Sequence, residues 1–315
     1  MTEGSNERIA YYNGEYLPEG EIRIPFRDRG FLLGDGVFDM TRTFGGEIFK
    51  IEAHIERLFR SLKALRIDPG LTNSQLVEIS EEVFRRNAHF LDETSDYWLA
   101  QRISRGLNAV GDEGWEQDGA TVIVECIPLP LQARAAYYRD GVDVVVSPVR
   151  RTAPDALTPR AKTANYLNLI TANMAVQAGA EHAYTILLDH NGNLAEGLGA
   201  NLFLVKDGVC YTPREQFVLP GVSRETVIEL AEANGVAVVE KDLDFHDAYN
   251  ADEMFLTSTS LCIVPVRTFS GAEVGEGTVP GPVTQQLTAA YVELVGFDFI
   301  EQYLRHLPPA AATES

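Results

Sequence analysis

Among the side chains of this sequence that could do covalent chemistry, one lysine stands apart. Lys162 lies in "TPRAKTANYLNLI", after a strand-like run and just ahead of a helical pattern, among Thr158, Thr163, Asn165 and Tyr166. The macrodipole at a helix N-terminus disfavours an ammonium, so a lysine held there tends towards the neutral, nucleophilic amine that condenses with a carbonyl. A solvated surface lysine would show the same local pattern. Two further segments tilt the reading towards chemistry. In "LAEGLGANLF", Glu196 stands between apolar residues and is followed by Gly197, Gly199 and Asn201. Strand interiors disfavour glutamate and glycine unless the carboxylate has a cationic partner or something approaches the backbone closely. In "VLPGVSRETVIEL", a Pro-Gly turn leads into a helix whose first free N–H groups belong to Val222 and Ser223, an arrangement suited to an anion. Ser223 is the expected N-cap of that helix and Gly235 its C-terminal stop.

The elements that must position these groups follow from apolar periodicity. "IAYYNGEYLP" and "GEIFKI" alternate and turn at Asn-Gly or Gly-Gly, whereas "EAHIERLFRSLKALRI" places Ile55, Leu58, Phe59, Leu62 and Leu65 on one helical face. "NSQLVEISEEVFRRNA" reads as a second amphipathic helix, and "DYWLAQRISRGL" with "GATVIVECIPLP" as a strand pair. The prolines of "PLPLQARAAYY" interrupt the pattern, which predicts a small α/β domain over 1–127, a linker over 128–136 and a larger domain over 137–315. There, "GVDVVVSPV" is a strand and "YLNLITANMAVQAG" a helix. The run "AYTILLDHNGNLAEGLGANLFLVKDGVCYTP" is an antiparallel meander that turns at "HNGN" and "KDG". The tail "PPAAATES" is expected to be disordered.

Composition narrows the function class. The 315 residues carry a formal charge of -20, which opposes sequence-independent attraction to nucleic acid or anionic lipid. Cys126, Cys210 and Cys262 each sit in an apolar run without a partner at metal-ligand spacing, so they read as core residues of a reducing compartment, with no metal site. The first residues show no basic segment followed by an apolar one, and no apolar run approaches about 20 residues. A cytoplasmic protein is expected.

A carbonyl-condensing lysine, a carboxylate able to pair with a protonated pyridine nitrogen and a phosphate cradle together describe a pyridoxal 5'-phosphate site. The segments "RDRGFLLGDGVFDMTR", "HIERLFRSL", "AKTANYLN", "LAEGLGANLFLVKDG", "LPGVSRETVIEL" and "LTSTSLCIVPV" resemble, in order and over nearly the whole chain, those of the class IV (fold-type IV) aminotransferases. That family includes branched-chain and D-amino-acid aminotransferases, (R)-amine transaminases and aminodeoxychorismate lyase. The resemblance implies an α+β fold of two domains, a small α/β N-terminal one and a larger barrel-like one, and a homodimer. It implies that Lys162 bonds the cofactor and shuttles the proton, and that Glu196 pairs with the pyridine nitrogen. Tyr166 would lie near the ring's phenolic oxygen. Arg57, the N–H groups of Val222 and Ser223, and Thr259 would hold the phosphate.

For the substrate, the resemblance points to Leu33, Phe38, Met40, Arg42, Trp98, Arg102 and Ser260. Phe38 and Arg42 match the branched-chain pattern, but Leu33 replaces its usual tyrosine and Met40 its glycine, and Trp98-Leu99-Ala100 replaces its Tyr-x-Arg pair. After "ISRG", the segment "LNAVGDEG" lacks the Arg-x-His pair of D-amino-acid enzymes. Typical (R)-amine transaminases have a small residue where this chain keeps Arg42. The expected activity is transamination from an apolar amino donor, a branched-chain-like amino acid or an (R)-amine, to a 2-oxo acid. Arg42 and Arg102 are the candidate contacts for the acid. A lyase like aminodeoxychorismate lyase and a D-amino-acid aminotransferase are the alternatives, and a non-catalytic protein of this fold is the rival from another class.

Overall fold

The computed structural model describes residues 7–107, 119–180 and 183–307, so the tail 308–315 and most of "LNAVGDEG" lie outside the described residues. The N-terminal strands are β1 (Ile9–Tyr12), β2 (Glu15–Pro18), β3 (Gly36–Phe44), β4 (Glu47–Ile48), β5 (Tyr97–Ser104) and β6 (Thr121–Pro128). They pair antiparallel in the order β2-β1-β6-β5-β3-β4. Asn13 and Gly14, at φ 46° and 103°, make the two-residue turn that the Asn-Gly dipeptide predicts. Three helices accompany this sheet: α1 (Arg29–Leu33), α2 (Ile51–Leu65) and α3 (Asn73–Asn87). Ile55, Leu58 and Leu62 of α2 meet Leu76 and Val83 of α3 and Leu99, Ile103 and Val124 of the sheet in one core. Burying each such side chain contributes roughly 1.5–3 kcal/mol. Phe59 and Leu65, expected on the same face, are only partly buried at its margin.

Helix α4 (Leu131–Asp140) starts inside the stretch expected to be a linker. Pro130 occupies its N-cap, where the missing N–H of a proline costs nothing, so the prolines precede a helix instead of excluding one.

The C-terminal strands are β7 (Val142–Val146), β8 (Tyr184–Leu188), β9 (Leu194–Gly197), β10 (Ala200–Lys206), β11 (Val209–Thr212), β12 (Val238–Glu240), β13 (Glu253–Ser258), β14 (Cys262–Phe269) and β15 (Ala272–Glu273). They follow one another as β10-β13-β14-β7-β8-β9, and β9 pairs back onto β10, which closes a barrel. Closure explains the strands' continuous apolar character, because both faces are covered. Leu202 and Leu204 of β10 join Leu256, Val264 and Val144 in one core. Phe203 and Val205 face a second core with α6 (Val222–Ala233), α8 (Pro282–Val295) and α9 (Phe299–Leu304), whereas α5 (Leu167–Gln177) and α7 (Phe245–Tyr249) lie elsewhere along the chain. The meander has a turn that its pattern hid: Gly199, at φ 77°, separates β9 from β10. All three cysteines are buried and free.

Candidate active site

Lys162 is pinned by backbone contacts before its side chain comes into play. Its carbonyl accepts from Phe38 N at 3.0 Å, its own N–H donates to Ser61 Oγ at 3.0 Å, and Ala164 N donates to Gly36 O at 2.9 Å. The segment therefore runs beside the first residues of β3, ahead of α5, with α2 behind it. Lys162 Nζ donates to the Tyr166 hydroxyl at 3.2 Å and lies 4.4 Å from the Phe38 ring centroid. The Phe38 and Tyr166 rings meet edge to face at 5.2 Å.

Glu196 is 5% exposed. Its Oε1 accepts from Arg151 Nε at 2.8 Å and its Oε2 from Leu219 N at 2.9 Å, so the carboxylate is held in one orientation. Arg151 is the cationic partner that a buried strand glutamate calls for, but no local pattern points to it, because it comes from the loop after β7. Gly197 is required here by packing, since a Cβ would lie 2.7 Å from the Thr185 carbonyl oxygen.

The third group is a buried guanidinium. Arg57 Nε and Nη2 donate to the two carboxylate oxygens of Asp39 at 2.8 and 2.7 Å, and Nη1 donates to Pro220 O at 3.1 Å. Asp39 lies on the face of β3 opposite Phe38 and Met40, turned towards α2, where His54 and Arg57 are one turn apart. His54 Nδ1–H donates to Asp39 Oδ1 at 2.7 Å. Burial would raise the Asp39 pKa, but Arg57 and His54 hold it well below the usual carboxylate range. Burial pushes the His54 pKa down, against the pull of Asp39. Asp39 was not singled out from sequence, because a strand aspartate shows no sign of the helix that it faces.

Through Pro220, Arg57 reaches the start of α6. Gly221 is the N-cap, in place of the expected Ser223, which sits inside the first turn. The reason is steric: a Cβ at position 221 would collide with Asn201 Oδ1. With no side chain capping it, the first turn turns its N–H groups into the cavity that Gly221, Val222 and Ser223 line.

The same cavity is lined by Lys162, Tyr166, Glu196, Arg57, Arg151, Thr257 and Thr259, so the expected lysine, carboxylate, guanidinium and helix start come together. The expected substrate residues divide. Phe38 touches Lys162, and the Met40 carbonyl accepts from Thr259 Oγ1 at 3.3 Å. Arg42 is not brought to the cavity wall. It is 1% exposed, donates to Thr43 O, Ser260 O and Gln302 Oε1, and lies 3.7 Å from Asp96 Oδ2. Arg102 is half-exposed and paired with Glu125 at 2.6 Å. Both arginines share the Phe38 face by alternation, yet each is neutralised by an acid from elsewhere in the chain. Leu33 is 59% exposed at the end of α1 and does not line the cavity. Trp98 packs on Leu129, Leu131 and Tyr303, and Ser260 is buried beside Thr259.

These groups line one cavity, set beside a closed barrel and a small antiparallel sheet. The chain belongs to the class IV aminotransferases, whose family pattern matches residues 36–269. The chain is 33% identical over 296 residues to the branched-chain-amino-acid aminotransferase of Escherichia coli (strain K12), covering 90% of this chain and 92% of that one. It is 30% identical over 281 residues to the D-alanine aminotransferase of Bacillus licheniformis, covering 89% and 94%. Its structure is similar to the branched-chain amino acid aminotransferase from Thermobaculum terrenum in PLP-form (holo-form), with a TM-score of 0.80 and 25% identity over 98% of this chain and 100% of that one. The fold-type IV architecture expected from sequence is the one found. Among the described residues no helix is long and apolar enough to cross a membrane.

Proposed function

We propose that the cavity holds pyridoxal 5'-phosphate and that the enzyme moves the amino group of an apolar, branched-chain-like amino acid to a 2-oxo acid. The carrying observation is that Lys162 Nζ, the oriented Glu196 carboxylate and the Arg57–α6 corner line one cavity. The residues fit the cofactor's chemistry. A dianionic phosphate suits Arg57, the first N–H groups of α6 and the Thr259 hydroxyl. Thr257 Oγ1 is buried on the cavity wall with no partner among the described residues, a spare polar atom where a ligand would lie. When bound, the cofactor supplies an electron sink for the substrate carbon that loses a proton.

The chain's own residues do the rest. The Lys162 amine would be the covalent anchor and, once released, the base placed to take a proton from one carbon and return it two atoms along, a 1,3-shift. The Tyr166 hydroxyl, 3.2 Å from Nζ, orients that amine. Glu196, fixed by Arg151 and Leu219 N, keeps a proton on the ring nitrogen. Phe38 walls the lysine and helps keep water out.

The branched-chain reading rests on the relatives' names and on the apolar Phe38 and Met40. A half-reaction panel tests it: leucine, isoleucine and valine should convert the cofactor's absorbance faster than D-alanine or (R)-1-phenylethylamine. Conversion by the D-amino acid or the amine alone would overturn it, and repeated turnover of an amino substrate by elimination, with no amino group transferred to an added 2-oxo acid, would make the enzyme a lyase. A homodimer belongs to the same reading, supported by exposed Phe26, Phe31, Leu33, Leu167 and Met174. A fully active monomer in sedimentation would contradict it. Three buried thiols without a disulfide suit a reducing, cytoplasmic setting.

A further inference from the structure

The two arginines expected to meet the substrate's acid group are already neutralised, which leaves open what does. The guanidinium groups of Arg42, Arg102 and Arg134 lie on the side of the β3–β5 sheet that carries Phe38 and therefore faces Lys162. Arg42 belongs to Asp96 and Gln302, and Arg102 to Glu125. The third is Arg134 of α4. It makes no ion pair among the described residues, although it is partly buried. Its guanidinium lies 5.1 Å from the Trp98 ring centroid, and its Nη1 donates to Ser260 Oγ.

That position is next to the reaction cavity. Ser260 follows Thr259, which lines the cavity and donates to the Met40 carbonyl. The Ser260 carbonyl accepts from Arg42 Nη1 at 3.1 Å and from Tyr303 OH at 2.7 Å, so the turn is clamped from behind while its hydroxyl points to Arg134. Trp98 pairs across the sheet with Arg42, and Ala100 with Met40, so the indole shares the face that carries Phe38 and Met40. The guanidinium lies over the indole with Ser260 Oγ and the Tyr303 hydroxyl as neighbours, and because a guanidinium carries five N–H donors, donors remain for a planar carboxylate. An unpaired, partly buried cation beside a serine hydroxyl is what such an anion requires.

We propose that Arg134, seated on Trp98 and aided by Ser260, is the carboxylate-binding residue of this enzyme, receiving the acid group shared by its amino acid and 2-oxo acid substrates. This rests on the transaminase reading of the same cavity. It makes α4, in the stretch between the two sheets, a specificity element: it tells amino acids from amines that lack a carboxylate.

The test compares Arg134→Gln, Arg134→Lys and Ser260→Ala holoenzymes with the parent, in half-reactions with leucine and with 3-methylbutylamine, its counterpart without a carboxylate. Calorimetric binding of 4-methylpentanoate, an acid with no amino group to transfer, is measured beside them. Loss of one charge-assisted contact should raise KM for leucine and the Kd of 4-methylpentanoate by about tenfold to a hundredfold in Arg134→Gln. The kcat for leucine and both constants for the amine should change less than about threefold, Arg134→Lys should recover part of the loss, and Ser260→Ala should lose less than Arg134→Gln. Equal losses for acid and amine, no loss for either, or an identical loss in Ser260→Ala and Arg134→Gln would each overturn the proposal, the last by reducing Arg134 to a prop for the turn. If no donor is converted, the transaminase reading fails, whereas the 4-methylpentanoate measurement still decides whether Arg134 binds a carboxylate.

Discussion

Arg57→Ala should damage the protein in two separable ways. The guanidinium is 3% exposed and makes two hydrogen bonds to Asp39, at 2.8 and 2.7 Å, and one to Pro220 O at 3.1 Å. Its removal leaves the Asp39 carboxylate buried at 0% exposure with only the His54 ring and the Met40 N–H bonded to it among the described residues. Breaking a buried pair by deleting one member costs about 3–5 kcal/mol, because the survivor's charge is uncompensated. The same substitution removes a charge-assisted phosphate contact worth roughly 1.5–3 kcal/mol, or about one to two decades of cofactor affinity. The double variant Asp39→Asn/Arg57→Ala separates the effects. It relieves the buried charge and should recover most of the stability, but none of the affinity. Urea unfolding of the cofactor-free protein measures the first quantity, and equilibrium dialysis against pyridoxal 5'-phosphate the second. If cofactor affinity were unchanged in both variants while stability fell, Arg57 would be a structural ion pair only, and the phosphate assignment would fail.

Lys162→Ala should lower turnover at least about a thousandfold while cofactor still binds through its phosphate, and near-parental rates would refute the central assignment. Glu196→Gln should lower kcat by roughly a hundredfold or more with little change in KM, because the amide still accepts from Leu219 N but cannot hold the ring nitrogen protonated; a change confined to KM would contradict its role. Stability should fall as pH is lowered in two stages. His54 and Asp39 both have folded pKa values below their ordinary ones, so the unfolded chain binds more protons. Their contributions are present in full above about pH 6.5 and pH 4 respectively and are lost progressively as pH falls below those values towards each group's depressed folded pKa. Urea midpoints from pH 8 to 3 check this, and a rise in stability on acidification would refute it.

Local chemistry in the sequence pointed to much of the candidate site. The lysine ahead of a helix, the buried glutamate among glycines and the Pro-Gly helix start are each short patterns, legible because each reports a cost that only a ligand or a partner can offset. Periodicity likewise determined α2, α3 and the Asn-Gly hairpin, which depend on neighbours within one or two turns. What the tertiary structure decided is pairing. Alternation put Arg42 and Arg102 on the correct face of the sheet, but whether a charge is free depends on which acid the fold brings to it, and Asp96, Gln302 and Glu125 arrive from distant segments. Arg151 and Asp39, the partners of Glu196 and Arg57, were invisible for the same reason. Closure of the barrel through the β9–β10 pairing depends on strands that meet only once the chain has wrapped round. Arg134 drew no notice in a stretch read as a linker, because its value comes from Trp98 and Ser260 on two other elements. An ion pair or a stacked ring is a property of two positions in space, and a single sequence presents them one at a time.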